Sequence, residues 1–265
     1  MFAANRASSR IAVSIEASDR ASRPKRVREE GSLRVRFPGA LSDELEAVVV
    51  NTAGGIAGGD DLKIAFSAGP GARLAVTGAA AEKVYRSLGP DASMRVKLDI
   101  ATGATLAWLP QETIVFDRAR MNRSIEVDLA ADARLILAEA VIFGRSGMGE
   151  RVASGFVLDR WRVRRDRRLL FADALRLDGA IADKLAAPAC ANGAVAVASV
   201  LVVPGDVALV DTVRGQTFSG EVGISAWNGF ALARLVADTG AKLRQDLVTL
   251  LMLLRAGCLP RLWLN

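Results

Sequence analysis

The chain has 265 residues, about half of them hydrophobic, and carries 35 Lys and Arg against 29 Asp and Glu. That length fits one large all-β domain better than two small ones, and no apolar run approaches the ~20 residues of a membrane helix. With no histidine and only two cysteines, Cys190 and Cys258, the sequence excludes Ser-His-Asp, Cys-His and HExxH catalysis and any histidine-based metal site.

Residues 1–30 hold seven Lys/Arg against four Asp/Glu. That is half of the net +6 excess in a segment with little periodicity. The expectation is a disordered basic tail ahead of a single domain over residues 31–265. It lacks the apolar stretch of a secretory signal, and the isolated cysteines suit a reducing cytoplasm.

Leu33-Arg-Val-Arg-Phe37 alternates apolar and charged residues, the pattern of a strand, and Pro38-Gly39 ends it. Residues 45–50 form a second strand. It leads into Asn51-Thr-Ala-Gly-Gly-Ile-Ala-Gly-Gly-Asp-Asp61, where Gly54, Gly55, Gly58 and Gly59 crowd six positions. Glycine accepts φ > 0 and lets other backbone come close. The turn matches neither GxGxxG nor a P-loop, because a strand pattern follows it and Asp60 and Asp61 would repel an anion. Gly55-Ile-Ala-Gly58 has the GXXG spacing of a KH module, but lacks its flanking helices and basic rim. A tight β turn bared for packing by another chain remains.

From Leu62 to Phe143 a unit recurs at about 30 residues. Ile64-Ala-Phe66, Val96-Lys-Leu98 and Ile125-Glu-Val127 each lead into a turn anchored at Gly71, Gly103 or Asp132, then to Leu74, Leu106 or Leu135. Strand, tight turn, strand at that period predicts stacked coils, each burying its face on the next. The fold class expected is mainly β, a helical, solenoid-like stack of strands closed by one or two C-terminal α-helices. Each copy is followed by a carboxylate, Glu82, Glu112 or Glu139. Stacking could align these, although their unequal offsets favour separate surface glutamates.

Residues 156–177 read as a long hairpin. In its first strand Arg160, Arg162 and Arg164 share one face, while Val157, Trp161 and Val163 share the other. Strands are expected at 195–203, 207–213 and 221–226, and a short helix at about 228–237. Asp238-Thr239 can cap a final helix in which Leu243, Leu247, Leu250, Leu251 and Leu254 recur on one side. Gly257 is placed to end it and Pro260 to stop its return.

Five segments, in order, resemble the urease accessory protein UreD family, called UreH in some organisms. They are Leu33–Pro38, Asn51–Asp60, Glu82-Lys-Val-Tyr-Arg-Ser87, Trp108–Phe116 and Leu259-Pro-Arg-Leu-Trp263. The resemblance covers roughly residue 31 onward, and the tail has no counterpart. It implies a non-catalytic scaffold for assembly of the nickel centre of apo-urease. The implied partners are UreF, UreG through UreF, and apo-urease itself. Gly54, Gly55, Gly58, Gly59, Asp60, Lys83, Tyr85, Arg86 and Ser87 would be the motif residues that dock or pack.

Members often carry histidines and this chain has none. The resemblance therefore implies no tightly bound cofactor, only nickel in transit along carboxylates, with Asp60, Asp61, Glu112 and Glu139 as candidates. Carboxylates hold nickel more weakly than imidazole or thiolate, as cargo requires. Two other readings stand beside this one. Arg160, Arg162 and Arg164 could bind nucleic acid or another anionic polymer, and Glu112 with Glu139 could act as a catalytic carboxylate pair.

Overall fold

A computed structural model of the chain describes residues 6–19, 21–38, 43–255 and 257–264. It begins with a hairpin, β1 (Ser8–Ala17) and β2 (Ser22–Glu30). This corrects the expectation of a disordered tail, apart from residues 1–5 and Arg20, which lie outside the described residues. In β1, Ile11, Val13 and Ile15 alternate inward and are buried. β1 pairs in parallel with β5 (Asp61–Ala68), from Ser8 opposite Asp61 to Ile15 opposite Ala68. The positive charges that suggested disorder lie mostly on the exposed strand β2.

β3 (Leu33–Arg36) and β4 (Leu45–Asn51) form a second hairpin. Gly39, in the turn expected after Pro38, lies outside the described residues. The repeat follows as three coils: β5 with β6 (Arg73–Gly78), β8 (Ala92–Ile100) with β9 (Thr105–Leu109), and β11 (Arg120–Leu129) with β12 (Arg134–Phe143). Between them lie two short strands, β7 (Glu82–Val84) and β10 (Thr113–Val115).

The coils stack in parallel and in register. Ile64 lies opposite Val96, and Val96 opposite Ile125. On the other side Leu74 lies opposite Leu106 and Leu106 opposite Leu135. These are the positions that match in the sequence repeat. The turns stack as well. Gly71 N donates to Thr102 O at 3.0 Å, and Gly103 N donates to Asp132 Oδ1 at 3.0 Å. Gly71 and Gly103 have φ of 68° and 67°, the left-handed backbone that glycine adopts without strain.

β13 (Gly155–Arg165) and β14 (Arg168–Gly179) make the expected long hairpin at the end of the first sheet. A short helix α1 (Ile181–Ala186) leads to β15 (Ala196–Val203), which joins the second sheet antiparallel to β12. Two expectations for the next segment are overturned. Residues 207–213 are helical, α2 (Val207–Arg214), because Asp206 Oδ1 caps Leu209 N at 2.9 Å and Val210 and Val213 face inward three residues apart. Residues 228–237 are not helical. β16 (Glu221–Trp227) and β17 (Phe230–Ala237) form a hairpin about Asn228-Gly229, whose φ values are 50° and 80°. Asn-Gly with both φ positive is the favoured two-residue hairpin turn.

The last helix, α3 (Gly240–Leu254), begins as expected at Thr239, whose hydroxyl accepts from Lys242 N. Among the described residues, seven strands thus form one sheet and ten the other. One apolar core lies between the sheets. A second lies on the far side of the ten-stranded sheet, where Ala75, Ala107, Ala138 and Ala233 leave room for α2, α3 and Trp263. No helix among the described residues is long and apolar enough to cross a membrane.

Candidate functional site

The glycine turn and the Lys83-Val-Tyr-Arg-Ser87 segment form one structure. Ile56 N donates to Lys83 O at 2.7 Å, and Tyr85 N donates to Ile56 O at 2.9 Å. The Tyr85 hydroxyl donates to Gly54 O at 2.8 Å. A Cβ on Gly55 would lie 2.3 Å from Tyr85 Cε2, and one on Gly58 would lie 2.1 Å from Ser87 Oγ. Gly55 and Gly58 are therefore bare so that Tyr85 and Ser87 of the same chain can pack on them, while Gly59 faces Arg6 and Pro90 and Gly54 meets nothing within 4 Å. Tyr85 packs edge-on against Phe116 at 5.2 Å, and the Arg145 guanidinium sits over Phe116 at 4.1 Å. Lys83, Tyr85, Arg86 and Leu88 remain exposed on this corner.

The two aspartates that close the turn have different fates. Asp60 is buried, and its carboxylate accepts from Ala7 N at 2.9 Å and Ala57 N at 2.8 Å. It ties the turn to the start of β1. Asp61 is half-exposed and pairs with Arg95 and with Lys63 at 3.3 Å.

The glutamates that follow the repeats are also placed apart. Glu82 and Glu112 are backbone neighbours, since Glu82 N donates to Glu112 O at 2.8 Å. Their side chains diverge. Glu82 accepts from Asn51 Nδ2 at 3.2 Å, and burial pushes its carboxyl up to about 7. Glu112 pairs with Arg244 of α3 at 2.8 Å. Glu139 lies between the sheets, accepting from Trp108 Nε1 at 2.8 Å and pairing with Arg123 at 2.5 Å. The same guanidinium pairs with Asp159 at 2.6 Å. Burial favours the neutral acid at Glu139 and Asp159 adds to that push, so its carboxyl is raised despite the pull of Arg123. Asp60, Asp61, Glu112 and Glu139 are thus not brought together. No cluster of three or more Cys, Asp or Glu able to hold a metal occurs among the described residues.

Arg123 and Asp159 were not among the sequence candidates. The signal was present in the strand alternation. Arg123 falls in phase with Met121, Ile125 and Val127, and Asp159 with Val157, Trp161 and Val163, all buried. A charge at an inward position must find a partner there. The arginine ladder faces outward, as its alternation predicts. Across the strand pair, Arg162 lies opposite Glu126 and Arg164 opposite Asp128, so that face mixes both charges.

The architecture defines a class: a two-sheet stack of parallel β coils, braced by an internal ionic network and closed by a C-terminal helix. Within that class the chain belongs to the family of UreD urease accessory proteins, whose family model matches residues 7–264. It is similar to urease accessory protein UreD of Rhodopseudomonas palustris strain BisA53, at 54% identity over 100% of this chain and 93% of the relative. Urease accessory protein UreD 3 of a Bradyrhizobium species is 53% identical over 100% of this chain and 96% of its own length. These matches include the β1–β2 hairpin, which thereby belongs to the family domain.

Proposed function

We propose that the chain is a non-enzymatic scaffold for urease maturation. It helps insert nickel into apo-urease in the cytoplasm, together with UreF and, through UreF, UreG. The observation that carries this reading is the family match across nearly the whole chain. Nickel is cargo here. Asp61, Glu112 and Glu139 each stand in a different ionic setting, and separated carboxylates suit brief contacts better than a resident site. The exposed corner of Lys83, Tyr85, Arg86 and Leu88 on the rigid glycine turn is the proposed docking face. The mixed charge opposite Arg162 and Arg164 weighs against the anionic-polymer reading, which needs a basic surface.

The test is genetic and biochemical. A deletion strain grown at limiting nickel is expected to make urease protein that lacks nickel, and the tagged chain is expected to co-purify with UreF and apo-urease. Full nickel occupancy of urease in the deletion strain would overturn the proposal.

A further inference from the structure

A cavity of about 500 Å³ lies away from the glycine turn, between the C-terminal segment and one end of strands β6, β9 and β12 of the ten-stranded sheet. Its charged wall holds Arg255, immediately after α3. The Arg255 side chain is only 4% exposed. One of its terminal nitrogens pairs with Glu44, but Nε and Nη1 are buried and have no hydrogen-bond partner among the described residues. Leaving desolvated, charged donors unmade is costly, more so than for neutral groups.

The surroundings narrow what could satisfy them. Arg134 of β12, Arg261 and Arg73 also line the cavity. Three carboxylates also line it. Asp43 is engaged by Arg73 and Glu44 by Arg255. Glu46 is pushed up by burial against the opposing pull of Arg261. Ala75 and Ala107 are buried small residues that leave space beside the charged wall. The low dielectric of such walls strengthens a charge-assisted hydrogen bond. Four arginines against three carboxylates leave the lining net positive, and a cation or a neutral apolar ligand would leave the Arg255 donors unmade.

We propose that this cavity is an oxyanion-binding site that takes a small phosphate- or carboxylate-bearing ligand on Arg255, with Arg134 and Arg261 adding positive charge. Nothing in the glycine-turn corner or the internal ionic network depends on it.

Cys258 is exposed and lines the cavity, so its thiol reports on occupancy. The experiment uses the full chain carrying Cys190→Ser, with inorganic phosphate and, separately, acetate as probes at constant ionic strength. Phosphate or acetate is expected to slow alkylation of Cys258 several-fold and to bind saturably by calorimetry. Tighter binding of phosphate than acetate assigns the ligand to the phosphate class, and the reverse order to the carboxylate class. Arg255→Gln is expected to weaken binding at least about tenfold, equivalent to about 1.4 kcal/mol. Should Arg255→Gln fail to fold, Arg134→Gln carries the test. Arg134 is exposed, and the expected loss there is about threefold. No saturable binding of either anion, or equal binding by wild type and the folded variants, overturns the proposal.

Discussion

Gly55 and Tyr85 are fitted so closely that the glycine hydrogen occupies space no methyl could share, with the tyrosine ring carbon 2.3 Å from the ideal Cβ position. Gly55 has φ of 154°, a backbone that side chains rarely adopt. Gly55→Ala is expected to cost about 2–4 kcal/mol through overpacking and strain together. Tyr85→Phe, which loses only the hydrogen bond to Gly54 O, is expected to cost about 0.5–1.5 kcal/mol. Urea denaturation of the two variants checks this. A harmless Gly55→Ala would mean that the contact is not tight.

Glu82 gives a pH signature. Its carboxyl is raised to about 7 by burial, so the folded state holds a proton that the unfolded chain releases near the ordinary glutamate range. Its contribution is fully present below about pH 4.5 and is lost as pH rises through about 7. The size is on the order of 2–3 kcal/mol. Glu82→Gln keeps an acceptor for Asn51 and removes the titration. Stability measured from pH 5 to 8 is expected to fall less with pH in the variant than in the wild type. Identical slopes would remove the claim.

The Arg123 network is expected to be asymmetric in its response. Arg123→Met strands Glu139 and Asp159 between the sheets and is expected to cost about 3–5 kcal/mol. Glu139→Gln keeps an acceptor for Trp108 and mimics the neutral acid that burial favours, so its expected cost is about 1 kcal/mol. Thermal melts at neutral pH separate the two. Equal losses would show that the pairing is not what the guanidinium supplies.

Deleting residues 1–30 is expected to yield an insoluble or unfolded chain. Ile11, Val13 and Ile15 close the core against β5, and their removal bares the edge of a parallel sheet. Size-exclusion chromatography of the truncated chain checks this. A monodisperse, cooperatively melting product would show the hairpin to be dispensable.

Proposed passage of nickel along carboxylates has its own test. The triple variant Asp61→Asn, Glu112→Gln, Glu139→Gln is expected to lower urease activation several-fold while the complex with UreF still assembles. Activation at the wild-type level would remove these residues from the path.

The repeat was readable because its apolar positions are in register in space. Ile64, Val96 and Ile125 match in sequence and are direct neighbours across strands. The final helix was readable from its leucine spacing and its cap. The first hairpin was hidden by its basic residues, although Ile11, Val13 and Ile15 alternate plainly. The strand β17 reads as a helix in sequence because its alanines suit either state, and the decisive signal is the Asn228-Gly229 turn before it. At the candidate site, the union of the glycine turn with residues 83–87 was beyond the sequence. It depends on where β7 falls in the stack, which no local pattern encodes. The inward charges at Arg123 and Asp159 were legible from strand phase alone.

The parallel stack also orders events during synthesis. The first strand has no parallel neighbour until β5 is made, 53 residues later. At the other end, Trp263 donates to Leu109 O across 154 residues, and Arg244 reaches Gln111 across 133. The alanine-rich face of the ten-stranded sheet therefore stays open until α3 and Trp263 have been made. Such late, long-range closure folds slowly and exposes apolar surface meanwhile. A nascent chain stalled before α3 would be a sticky, half-covered sheet, so the segment from Gly240 onward is the step that covers it.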